Sequence, residues 1–193
     1  MIQVNRKDLE IVAQYIDNNN PKFELDYLLI DADNMVATNT RAIGVIKHNG
    51  TLDKGVETIL IHKSVVVLAL KQTKAKRFNL DENKIVCLDD KDDEIITICI
   101  NRENYHRNFP EYGRIIPKEI EKIIPFTSKT QIEGILATEL IEVDNMHIPK
   151  TKEDFIGYVG INDKNLPIAI MNEKKEVLIV VMPIIDSFDI FRQ

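Results

Sequence analysis

Hydrophobic and polar positions alternate in Ile2-Gln3-Val4-Asn5, the pattern of a short strand. Asn5 can then cap a helix from Arg6 to Ile16, with Leu9, Val12 and Ile16 on one face at helical spacing. Asn18-Asn19-Asn20-Pro21 stops it. Strand patterns follow at Phe23 to Ile30, Met35 to Thr38 and Ala42 to Ile46, the first two joined by the turn Asp31-Ala32-Asp33-Asn34. The same order then starts again. Val56 to Ile61 reads as a strand and His62 to about Leu70 as a helix, although Val65-Val66-Val67 works against helix formation. Phe78 and Leu80 open a further strand, and Ile85 to Leu88 and Ile95 to Ile100 form a hairpin around Asp89-Asp90-Lys91-Asp92-Asp93-Glu94.

A third pass begins at Lys122-Ile123-Ile124-Pro125-Phe126. Thr127 or Ser128 caps a helix through Gln131 to Leu140, whose apolar face is Ile132, Ile135, Leu136 and Leu140. Strand-like runs follow at Phe155 to Ile161, Leu166 to Met171 and Val177 to Met182. The chain thus reads as three strand–helix–strands units that share element order without evident residue identity. Several strands per helix indicate the α+β class. The turn-rich stretch from Asn101 to Lys118 is the expected boundary, giving domains 1–118 and 119–193.

Composition narrows the class. A chain of 193 residues, 44% hydrophobic and 29% charged, is ordinary for a soluble protein. No apolar run approaches the roughly 20 residues of a membrane span, and the N-terminal residues lack a secretory h-region. Cys87 and Cys99 lie in apolar strand-like segments and read as buried, reduced thiols, so a cytoplasmic location is expected. The net charge of -6 argues against a uniformly basic nucleic-acid binder, but a basic stripe can be set in an acidic body. His48, His62, His106 and His147 are scattered, and none is placed for a zinc motif. There is no paired-cysteine motif, and the seven glycines show no phosphate-loop spacing. The acidic run Asp89 to Glu94 lacks the Gly and distal Glu of a calcium loop and reads as a solvated turn. No catalytic residue, metal site or cofactor is predicted.

Three strings carry a resemblance. Phe109-Pro110-Glu111-Tyr112-Gly113-Arg114-Ile115-Ile116-Pro117 and Val180-Val181-Met182-Pro183-Ile184 resemble the segment that closes one domain, and the segment near the C-terminus, of the bacterial DNA polymerase III beta subunit, the sliding clamp. Tyr27 to Ile43, with Ala37-Thr38 and Arg41, resembles part of that family's middle domain. It has Asn39-Thr40 where the family has Asp-Gly, and it lacks one residue of the family's His-Arg pair. The resemblance implies a DNA-clamp (processivity) fold of about one and a half clamp domains. Residues 1–118 would match the middle domain, and residues 119–193 part of the last.

It also implies a function: a non-catalytic, oligomeric, DNA-associated protein that tethers a DNA polymerase or other replication and repair proteins to double-stranded DNA. Arg6, Lys7, Lys63, Lys71, Lys74, Lys76 and Arg77 would face DNA, since phosphate contacts are sequence-independent and salt-labile. The alternative for these cations is a solvated helix face. The third helix, with Lys129 against Glu133 and Glu139, would add little. By the same resemblance Thr38, Thr40, Arg41, Ile43, Pro117, Val180, Met182, Pro183 and Ile184 would line a pocket for short linear peptides. The competing reading of Val180 to Ile184 is a terminal core strand. The competing function is a clamp-fold module that binds a clamp client or clamp subunit without encircling DNA.

Overall fold

The computed structural model describes residues 1–17, 25–39, 42–100, 109–116, 155–158, 168–172 and 177–181. The expected helix at Gln131 to Leu140 and its cap lie outside these residues. The chain divides into two compact units, Met1–Glu111 and Tyr112–Gln193.

The first unit contains the two leading repeats. In order these are β1 (Ile2–Asn5), α1 (Arg6–Ala13), β2 (Tyr27–Ile30), β3 (Asn34–Thr38) and β4 (Ala42–Lys47), then β5 (Ile59–His62), α2 (Lys63–Leu70), β6 (Arg77–Leu80), β7 (Lys84–Leu88) and β8 (Glu94–Cys99). Asn5 caps α1 as the sequence indicates, its side-chain oxygen accepting from the Asp8 backbone N–H at 2.8 Å. The helix is shorter than expected. After Ala13 the chain tightens, with Tyr15 and Ile16 donating to the carbonyls of Val12 and Ala13, and so satisfies orphan acceptors of the last turn. His62 is the N-cap of α2 and not its first helical residue: its ring nitrogen accepts from the Ser64 N–H at 3.2 Å.

The repeats exchange their first strands. β1 pairs antiparallel with β6 of the second repeat, with Asn5 opposite Arg77. β5 pairs antiparallel with β2 of the first, with His62 opposite Tyr27. Two antiparallel groups result, in the orders β1-β6-β7-β8 and β5-β2-β3-β4. α1 touches β1, β3 and β4, α2 touches β2, β5 and β8, and the helices touch each other. Leu9, Ile11 and Val12 of α1 and Val66 and Ala69 of α2 are buried, with Ile2, Val4, Phe78 and Leu80 from the strands. Full burial of each large aliphatic side chain is worth about 1.5–3 kcal/mol. That burial overrides the poor helix propensity of Val65-Val66-Val67.

The turns are built by aspartates. Asp31 Oδ1 accepts from the N–H groups of Asp33 and Asn34 between β2 and β3. Asp81 Oδ1 does the same for Asn83 and Lys84 between β6 and β7. Asp89 Oδ1 accepts from Lys91 and Asp93 in the acidic turn, where Asp92 has φ 67°. These are side-chain mimics of backbone turns. Among the described residues no His, Cys, Asp or Glu group could hold a metal ion. Cys87 is buried, but Cys99 is exposed, which corrects the expectation for that thiol: it lies on β8, which is an end strand among the described residues, and shares a face with the exposed Lys84 opposite it.

In the second unit Tyr112–Arg114 forms one 3₁₀ turn, within the string that begins at Phe109. β9 (Phe155–Tyr158), β10 (Ile168–Asn172) and β11 (Val177–Val181) form an antiparallel group in the order β11-β10-β9. No helix among the described residues is long and apolar enough to cross a membrane.

Gly44 in β4 lies against the ring of Tyr15, and a Cβ there would meet the ring at 2.5 Å. Tyr15 is 1% exposed and cannot swing into solvent. Gly44→Ala is expected to cost about 1–3 kcal/mol in a denaturant titration; unchanged stability would contradict this packing. Burial also holds the Tyr15 hydroxyl well above the ordinary tyrosine value of 10.0. A raised folded-state value means that this contribution to stability is intact below the unfolded value and is lost as pH climbs past it. Ultraviolet titration should therefore show Tyr15 ionising together with unfolding and not before it.

Candidate nucleic-acid interface

The seven cations expected to face DNA are all described, and they separate into two groups. Arg6 and Lys63 are the first residues of α1 and α2, and each reaches across to the far end of the other helix. The Arg6 guanidinium donates to the carbonyls of Leu70, Gln72 (2.9 Å) and Ala75 (3.2 Å) at the exit of α2. Its Nε pairs with Glu10 Oε1 at 2.7 Å. Lys63 Nζ donates to the Ile16 carbonyl at 2.8 Å, at the exit of α1. The backbone repeats the exchange: Arg6 N donates to Lys76 O at 2.9 Å and Lys63 N to Asp26 O at 2.8 Å. A cation at a helix C-terminus meets the negative end of the dipole and its unpaired carbonyls. Desolvation lowers the Lys63 ammonium from its ordinary value, with Asp17 opposing the shift. Arg6 and Lys63 therefore hold the two repeats together and have little left for phosphate.

Arg77 is also engaged, donating to the Asp90 carbonyl at 3.0 Å and pairing with Asp92 Oδ1 at 3.0 Å in the acidic turn. Lys7 is half-buried on the first turn of α1. Lys71, Lys74 and Lys76 differ. They follow one another through the C-cap and exit of α2, all three are exposed, and none forms an ion pair among the described residues. The Arg6 contacts fix the backbone between them at Gln72 and Ala75. The result is a short cationic ridge on an ordered loop, able to meet phosphates without reading bases. Val67 and Leu68, 37% and 45% exposed, lie one turn earlier on α2.

Of the residues implied for peptide docking, Thr38 and Ile43 are cross-strand partners on β3 and β4. The Thr38 hydroxyl donates to the Ala42 carbonyl at 2.9 Å. Thr38, Ile43 and Val180 are all buried, at 7%, 1% and 0% exposure, so these three contribute packing. Thr40, Arg41, Pro117, Met182, Pro183 and Ile184 lie outside the described residues. Sequence reasoning missed that Arg6 and Lys63 are structural. A basic residue directly after the cap in both repeats is the signal that could have found them.

Arg6→Met keeps the apolar stem and removes the donors. It is expected to destabilise the unit by about 1.5–3 kcal/mol, read by denaturant titration. Any affinity for DNA should fall only as far as the loop that carries Lys71, Lys74 and Lys76 loosens, because the Arg6 guanidinium serves the carbonyls of that loop and not phosphate.

No protein-family model matches the chain, and no curated protein matches it either. Solved structures do. The DNA polymerase sliding clamp of Pseudomonas aeruginosa is 11% identical, with a TM-score of 0.58 over 95% of this chain and 65% of its own. The DNA polymerase III beta subunit of Thermotoga maritima is 15% identical, with a TM-score of 0.58 over 97% of this chain and 66% of its own. The Helicobacter pylori beta clamp bound to a DNA ligase peptide is 14% identical, with a TM-score of 0.57 over 96% and 65%. The chain spans about two thirds of the length of these clamps. At such low identity the likeness concerns architecture: the chain has the fold of the bacterial DNA polymerase III beta-subunit sliding clamps.

Proposed function

We propose that this chain is a non-catalytic, sliding-clamp-like protein that associates with double-stranded DNA and tethers replication or repair proteins to it. The observation that carries the reading is the exposed ridge Lys71, Lys74 and Lys76 at the exit of α2, in a chain with a clamp fold. Such a ridge suits sliding. Lysine–phosphate contacts carry no sequence information and exchange readily with counterions. Lys7 and Arg77 would add at most secondary contacts, and Arg6 and Lys63 act by holding the helices. The tethering half of the proposal draws on the Helicobacter clamp that binds a DNA ligase peptide. In this chain it assigns peptide capture to Thr40, Arg41, Pro117, Met182, Pro183 and Ile184, and leaves Thr38, Ile43 and Val180 as buried packing residues.

The second reading is a clamp-fold module that binds a clamp client or clamp subunit and does not embrace DNA. The net charge of -6 and the exposed Val67 and Leu68 beside the ridge favour it.

Reversing Lys71, Lys74 and Lys76 to Glu separates the two. Under the first reading, affinity for duplex DNA falls at low salt, and the slope of log affinity against log salt shrinks by about one per lysine removed. Salt-sensitive retention on circular but not linear DNA would mark sliding. DNA binding that is undetectable in the unaltered protein, or unchanged by the reversal, would favour the second reading.

A further inference from the structure

An aspartate, a histidine and a serine meet at the start of α2. β5 pairs with β2 so that His62 lies opposite Tyr27. Asp26 directly precedes Tyr27, and its carbonyl accepts from the Lys63 N–H at 2.8 Å, which holds its side chain beside His62. Asp26 Oδ2 is 3.2 Å from His62 Nε2, and His62 Nδ1 is 2.7 Å from the Ser64 hydroxyl. The buried Tyr27 ring packs edge-on against the imidazole at 5.1 Å and walls it on one side. The backbone fixes which ring nitrogen carries the proton. The Ser64 N–H can only donate, and it points at His62 Nδ1 at 3.2 Å. Nδ1 is therefore an acceptor, and the proton of the neutral ring sits on Nε2, facing the Asp26 carboxylate. The Ser64 hydroxyl must then donate to Nδ1. Carboxylate, imidazole and hydroxyl follow one another in the order that activates an alcohol, the carboxylate orienting the base and the base taking the proton.

We propose that Ser64 is an activated nucleophile and a covalent acylation site, taking one acyl group per chain from an activated ester. Ser64 is exposed, so an acyl donor can reach it. It is the second residue of α2, where the positive end of the helix dipole favours negative charge developing on the reacting oxygens. In the transfer Ser64 Oγ bonds to the acyl carbon as its proton passes to His62 Nδ1, and Asp26 holds the imidazolium. The bond between the acyl carbon and the ester oxygen breaks, and the departing alcohol takes the proton from His62 Nδ1. The products are O-acyl-Ser64 and a free alcohol, with no change of oxidation state. The Ser64 N–H still reaches the imidazole afterwards, so α2 keeps its cap. His62 and Asp26 are 43% and 37% exposed, so the site is open and selects a donor by its electrophilicity more than by its shape.

The test uses the full chain with p-nitrophenyl acetate as the acyl donor. Peptide mapping by mass spectrometry follows acetylation serine by serine, with Ser128 and Ser187 as the comparison within the same chain. Ser64 should be acetylated at least about tenfold faster than either. His62→Asn keeps a good helix cap and removes the base, so it should retain the circular-dichroism spectrum and slow acetylation of Ser64 by at least about tenfold. Asp26→Asn should slow it as well, and Asp26→Glu should restore part of the rate, whereas a purely structural role for Asp26 would leave the reactivity of Ser64 unmoved. If His62→Asn does not fold, the two Asp26 variants decide. Acetylation of Ser64 no faster than that of Ser128 and Ser187 would overturn the proposal. So would a rate that is undiminished in His62→Asn or in Asp26→Asn.

Discussion

Each repeat of the first unit is completed by the other. The chain leaves β1 into α1 at Arg6 and leaves β5 into α2 at Lys63, and at both points backbone and side chain bond to the opposite repeat. The strand exchange and these cation-to-helix-end contacts reinforce each other. Pairing β1 with β6 brings the start of α1 to the exit of α2, where unpaired carbonyls attract a guanidinium. Pairing β5 with β2 does the reverse for Lys63. Neither repeat could satisfy its own helix ends in this way.

The arrangement sorts the basic residues by role. A cation at the start of a helix is adjacent to the partner helix's negative end, so its charge is used internally. A cation at the exit of α2 has no such end to meet and remains exposed. The ridge of Lys71, Lys74 and Lys76 is ordered because Arg6 holds the carbonyls of Gln72 and Ala75 between them. Structural and surface charge are thus coupled through one loop. Positioning phosphate-binding groups on such an anchored segment limits the entropy lost on binding.

Much of the fold could be read from local pattern. The strand at Ala42, the β6–β7–β8 meander and the Asn5 cap follow from alternation, turn chemistry and capping, which act within a few residues. Two points were less legible. The Val65-Val66-Val67 run weakens helix propensity, and only the burial of Val66 and Ala69 against the strands settles it. The repeats also share more than element order. Asp31 and Asp81 occupy equivalent turns and make the same two bonds, but a single Asp in a short turn is too common in sequence to register as a repeat. The candidate interface was legible only as a list of cations. Which of them are free depends on where the helix ends lie in space.

By itself the sequence determined the element order, the α+β class, the absence of a recognisable catalytic motif and the acidic hairpin turn, because each depends on residues close along the chain. The tertiary structure decided which strands exchange, that Arg6 and Lys63 hold the helices and that Cys99 is exposed. These depend on contacts between residues far apart in sequence, for example Arg6 with Leu70. Local periodicity sets which face of an element is apolar, but it does not name the partner that covers that face.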